Sequence, residues 1–83
     1  MARHELKIMP KYFQAVWDDV KRFEIRKNDR DYQVGDILVL KEWDGKAFTG
    51  SAIAVVVTYI YDGNIGGLQD NYCILSIKHI GDN

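Results

Sequence analysis

One cysteine, one proline and two histidines are all that this chain of 83 residues holds of the residue types that build disulfide frameworks, rigid linkers and metal centres. Cys73 has no partner for an intramolecular disulfide. It lies in the apolar run Tyr72 to Ile77, where a small buried hydrophobe is expected rather than a reactive thiol. His4 and His79 stand near opposite ends with no further ligand at metal-binding spacing, so no structural metal is expected, and a lone terminal histidine is expected to be exposed. The longest uninterrupted apolar run, Ala52 to Val57, is too short to cross a bilayer, and the first residues lack the apolar segment of a signal peptide. A cytoplasmic protein without membrane contact is the expectation. No glycine-rich loop is followed by Lys-Ser or Lys-Thr and no G-x-G-x-x-G opens a helix, so no nucleotide cofactor is implied. Ser51 and Ser76 have no evident histidine or acidic partner for a hydrolytic triad. An excess of charge is absent too: the formal net charge is −1 and the pI about 6.0, which excludes coating of nucleic acid by bulk attraction.

What is present is a local concentration. Lys21 to Arg30 holds five of the eleven lysines and arginines. Within it, Phe23 and Ile25 alternate with Arg22, Glu24 and Arg26, so an extended strand turns the apolar pair one way and the charged residues the other. The expectation is that Phe23 and Ile25 face the core and the charges face a partner. Lys41, outside this cluster, is expected to take no part.

Around that segment the chain reads as one small domain, residues 1–83, with 47% apolar residues and room for a single core. Glu5 to Ile8 alternates as a short first strand. Pro10 suits the first turn of a helix, and Phe13, Val16, Trp17 and Val20 at i, i+3, i+4 and i+7 predict a helix from about Pro10 to Asp19 whose apolar face packs on a sheet. Asn28 to Asp31 predicts an exposed loop, Val34-Gly35-Asp36 a turn, and Ile37 to Trp43 a strand covered on both sides. Asp44-Gly45 provides a hairpin turn into Ala52 to Tyr61, apolar on both faces and therefore expected at the centre of the sheet. Asp62 to Asn71 is a long glycine-bearing connection, a candidate lip of a cleft, before a last strand over Tyr72 to Lys78 with Cys73, Leu75 and Ile77 on one face. Together these predict a mixed α+β fold, a small pseudo-β-barrel of about five strands with one short helix near the N-terminus.

The run Asp19-Val20-Lys21-Arg22-Phe23-Glu24-Ile25-Arg26 resembles the G-x-K-x-x-E-x-R signature of the ASCH domain, the activating signal cointegrator homology branch of the PUA-like superfamily. His4 to Ile8, Phe23 to Arg30, Val34 to Leu38 and Tyr72 to Ile77 extend the resemblance to short ASCH-like proteins of bacteria and phages over nearly the whole chain. The resemblance implies a PUA-like pseudo-barrel, a class associated with RNA binding, with Lys21, Glu24 and Arg26 lining a cleft between helix and barrel. Asp19 stands where the signature has Gly; aspartate tolerates a left-handed backbone better than most residues, which keeps the turn available.

The function expected is a small RNA- or nucleotide-binding module with Lys21, Arg22, Glu24, Arg26 and Arg30 as ligand-binding residues, and with Tyr32, Trp43 or Tyr61 as stacking surfaces. One alternative is an amidohydrolase of a modified nucleoside such as N4-acetylcytidine, served by Lys21 and Glu24. In the amidohydrolase-type relatives the resemblance implies a threonine nucleophile at the position of Glu24, and a carboxylate there suits holding a ligand better than cleaving one. Another alternative is a protein-interaction module with a flat apolar patch on Trp43 or Tyr61.

Overall fold

The computed structural model describes residues 1–62 and 71–80. Its elements run β1 (Arg3–Ile8), α1 (Pro10–Trp17), β2 (Phe23–Lys27), β3 (Ile37–Trp43), β4 (Phe48–Tyr61) and β5 (Tyr72–His79). The five strands form one sheet in the order β1-β3-β4-β5-β2, with β4 at the centre as its two-sided apolar pattern requires. β1 runs parallel to β3; all other neighbours are antiparallel. Register shifts between Lys41 and Trp43 and between Val57 and Tyr59 bend the sheet, and it curls into a half-barrel. The fold is mixed α+β, a small pseudo-β-barrel with one short helix. The connection over 63–70, named above as a candidate lip, lies outside the described residues.

The concave face holds the core: Leu6, Ile8, Leu38, Leu40, Val55, Val57, Cys73, Leu75 and Ile77 from the strands, with Phe13 and Val16 from α1. Strand alternation delivers each of these, and β5 buries Cys73, Leu75 and Ile77 as its pattern predicts. Burial pushes the Cys73 thiol up from its ordinary range, so at neutral pH it is a protonated apolar side chain.

Two apolar expectations fail at the helix. Trp17 is 56% exposed and Val20 lies beyond the helix, which ends at Trp17. The stop has a local cause. Asp19 adopts φ 59°, its N–H donates to the Val16 carbonyl (3.0 Å) and the Val20 N–H donates to the Ala15 carbonyl (3.0 Å), a Schellman closure with Asp at the left-handed position. Trp17 stacks on Phe13 with ring centroids 5.9 Å apart, so it covers the core edge without entering it. Trp17→Ala is therefore expected to cost about 1 kcal/mol or less in urea unfolding, against about 3 to 5 kcal/mol for Phe13→Ala. Equal costs at the two positions would return Trp17 to the core.

His4 is a further correction. It lies on the inward side of β1 with its Nε2 at 2.8 Å from Oδ2 of the buried Asp36 and its ring edge-on to Tyr32, centroids 4.7 Å apart. Tyr32, expected as a stacking surface, is itself in the core, and burial pushes its phenol up from the ordinary range. Asp36 also accepts from the backbone N–H of Ala2 and of Gln33, each at 3.0 Å, and so ties the start of β1 to the turn before β3.

Candidate functional site

The basic segment is placed by both of its ends. The Schellman turn delivers Lys21 at the mouth of the half-barrel, and antiparallel pairing with β5 fixes β2, with Glu24 opposite Leu75 and Arg26 opposite Cys73. Directly paired residues share a face of the sheet, so Glu24 and Arg26 are on the same side as two fully buried core residues. The strand is thus inverted relative to its apolar pattern. Glu24 is 4% exposed, whereas Phe23 and Ile25 are 42% and 50% exposed and stay outside the core that holds Phe13 and Val16 of α1. A strand turns a carboxylate inward only where polar partners await it, and Glu24 has two. Lys21 Nζ donates to its Oε1 at 2.5 Å, and Arg26 Nε donates to its Oε2 at 3.1 Å.

The remaining bonds define the shape. Lys21 Nζ also donates to the Phe23 carbonyl at 2.6 Å, which uses two of its three N–H donors. Arg26 Nη2 donates to the Lys7 carbonyl at 2.6 Å, and Arg30 Nη1 reaches the Glu5 carbonyl at 3.4 Å. Glu5 and Lys7 are two apart on β1, so both carbonyls point off its free edge, away from β3. The half-barrel is therefore closed at this seam by guanidinium groups where a backbone ladder would otherwise run.

Between the two edge strands and α1 opens a cleft of about 480 Å³. Lys21, Glu24 and Arg26 form its polar floor; Ile8, Met9, Tyr12, Phe23 and Ile25 form its walls, with Lys7 at the rim. Lys21 Nζ lies 4.8 Å from the Phe23 ring centroid and 5.7 Å from that of Tyr12, which sets the two aromatic walls around one cation. The floor carries two cations and one anion, a net charge of +1 in a largely apolar recess.

Of the residues singled out from the sequence, Lys21, Glu24 and Arg26 come together. Arg22 does not join them: its Nε and Nη2 bind the Asp19 carboxylate at 3.1 and 2.9 Å on the exposed helix end, where it neutralises an aspartate that the helix dipole disfavours. Arg30 reaches over β1 into a second groove of about 430 Å³. Lys41, expected to be uninvolved, lines that same groove. Trp43 and Tyr61 are half-buried, and Lys7 Nζ caps the Trp43 ring at 4.4 Å. Lys7, Tyr12 and Phe23 were missed. The β1 alternation already turned Lys7 outward, but nothing in the sequence sets β1 facing β2. Among the described residues no three His, Cys, Asp or Glu side chains are grouped to hold a metal ion, and no helix is long and apolar enough to cross a membrane.

With this geometry in hand, comparison with known proteins places the chain. A family model for a domain of unknown function, DUF3850, matches residues 3–77. The chain belongs to the DUF3850 family. The matched span of this DUF3850 chain takes in every residue that lines the cleft. The chain is also similar to a protein of Escherichia phage P2 described as an uncharacterised 12.9 kDa protein in the GpA 3′ region, with 44% identity over 59 residues. That alignment covers 71% of this chain and 54% of the phage protein, so the chain spans about half the length of that relative.

Proposed function

We propose that this protein is a small RNA- or nucleotide-binding module whose cleft receives a nucleobase or phosphate on the Lys21–Glu24–Arg26 floor. The observation that carries the reading is a buried, net cationic floor beneath aromatic walls in a cleft of about 480 Å³, within the size range of small-ligand sites. Each part has a role. Lys21 keeps one N–H and Arg26 its Nη1 amine uncommitted among the described residues, and both are donors suited to phosphate or to a base carbonyl. Glu24 holds both cations in place and screens their mutual repulsion. Tyr12 and Phe23 offer faces for a base. The ASCH-like K-x-x-E-x-R pattern supports the same reading, because its three fixed residues are the three that form the floor.

The short Lys21–Glu24 contact bears on the amidohydrolase alternative. A lysine held as a donor to a carboxylate is poorly placed to accept a proton from a nucleophile. Binding of cytidine and adenosine monophosphates by calorimetry tests the reading. The wild-type protein is expected to bind at least one of them, and Lys21→Ala and Arg26→Ala to weaken it by about tenfold or more, the size of a lost charge-assisted hydrogen bond. Lys78→Ala, on the exposed side of β5, is the control and is expected to change nothing. No binding of either nucleotide, or equal loss in all three variants, would overturn the proposal. Release of acetate from N4-acetylcytidine that Lys21→Ala abolishes would put the hydrolase in its place.

A further inference from the structure

We infer that the groove on the other side of the guanidinium seam is a second subsite, and that the two together take a single-stranded nucleic acid of two or more nucleotides. The inference rests on the binding function proposed for the first cleft. The second groove, about 430 Å³, shares Lys7 and Arg26 with that cleft, so these two side chains form the partition between adjoining recesses. Beyond the partition lie Arg30 and Lys41, with Phe48 as an open ring, 49% exposed. Four cations thus meet one carboxylate, Glu5, in a protein whose net charge is −1. Among the described residues Glu5 is engaged by exposed pairs, to Lys41 at 3.4 Å and to Arg3 at 3.7 Å, which exchange readily for a stronger anion.

The packing of the cations points the same way. Lys7 and Lys41 are direct partners in the β1–β3 register, and like charges set opposite each other in a sheet repel. Only the exposed Glu5 carboxylate, on Lys41 at 3.4 Å, offsets them among the described residues; both ammonium groups lean on the Phe48 ring, at 5.9 and 4.7 Å from its centroid. A phosphodiester lying across Lys7 and Arg26 would relieve that repulsion. It would also leave one base for the Tyr12–Phe23 cleft and the next for the Phe48 face. Cations alternating with an exposed ring are the elements of single-strand recognition. A duplex is disfavoured, because a base can enter the first cleft only if it is unstacked and unpaired.

The experiment compares a mononucleotide with the trinucleotide of the same base, in ribo and deoxy forms, across a salt series. The trinucleotide is expected to bind the wild-type protein at least tenfold more tightly, and its logarithmic salt slope to be steeper by about 0.7 for each added phosphate contact. Phe48→Ala and Lys41→Ala are expected to lower trinucleotide affinity about tenfold, the effect of one stacked base or one phosphate contact, with the mononucleotide unaffected. Both side chains are substantially exposed, so the variants keep the fold. A ribo preference would assign the ligand as RNA through its 2′-hydroxyl, and equal binding would assign single strands of either sugar. A trinucleotide bound no more tightly than the mononucleotide, or a short duplex bound as well as the single strand, would overturn the second subsite and leave the first cleft's function standing. Absence of binding by every ligand would overturn both.

Discussion

Glu24→Ala is expected to destabilise the protein by about 3 kcal/mol in urea unfolding, far more than an exposed glutamate would. Glu24 holds Lys21 and Arg26, whose side chains are themselves largely covered, and its removal strands two cations in a recess they cannot easily leave. Arg26 would also lose the partner that aims it at the β1 edge, so the seam between β1 and β2 weakens with the site. Glu24→Gln should fall between, since the amide keeps an acceptor and loses the charge. A cost below about 1 kcal/mol for Glu24→Ala would show that the floor is solvated and that the inverted strand has another cause.

Asp36→Ala is expected to cost about 3 to 5 kcal/mol, because it removes the acceptor of three hydrogen bonds at a fully buried position and leaves the buried His4 ring without its partner. Its pH dependence follows from the direction of its titration. Burial alone would raise the Asp36 carboxyl, but the bonds from His4, Ala2 and Gln33 outweigh it and hold the group below its ordinary value of 3.8. A carboxyl depressed in the folded state stabilises fully above its unfolded value and loses that contribution as pH falls through the folded one. The difference in stability between wild type and Asp36→Asn should therefore be constant above about pH 5 and shrink below about pH 4. A difference that stays constant down to pH 2 would mean that the Asp36 charge contributes nothing to the fold.

Strand positions were legible in the sequence wherever alternation and turn residues agreed. β3 and β5 lie within a residue of their predicted bounds, β4 is central, and Gly35 and Gly45 take the positive φ angles that their turns demand. The face assignment of β2 was not legible. Apolar alternation places Phe23 and Ile25 inward by default, and only the pairing with β5 together with the two hydrogen bonds that Glu24 accepts from Lys21 and Arg26 reverses it. Local pattern and tertiary demand conflict at this strand, and such conflict is expected where a site has been built into a core. The cluster Lys21, Glu24 and Arg26 was nonetheless visible as a motif, because its members are close in sequence. Lys7 and Lys41 were invisible, because each stands on another strand and only the curl of the sheet brings them to Arg26. Val20 misled through helix length: its place at i+7 of the pattern counts only if the helix continues, and the left-handed Asp19 stops it.

The strand order has a consequence for synthesis. β2 carries most of the site, yet among the described residues the one strand paired with it is β5, which follows every other described strand in sequence. While residues up to Tyr61 are being made, β1, β3 and β4 can already pair, but Phe23–Lys27 has no strand to join. Glu24 and its two cations therefore remain an unorganised charged segment until Tyr72–His79 leaves the ribosome. The cleft forms only once β5 has paired with β2, and a nascent chain cannot hold a ligand there before then.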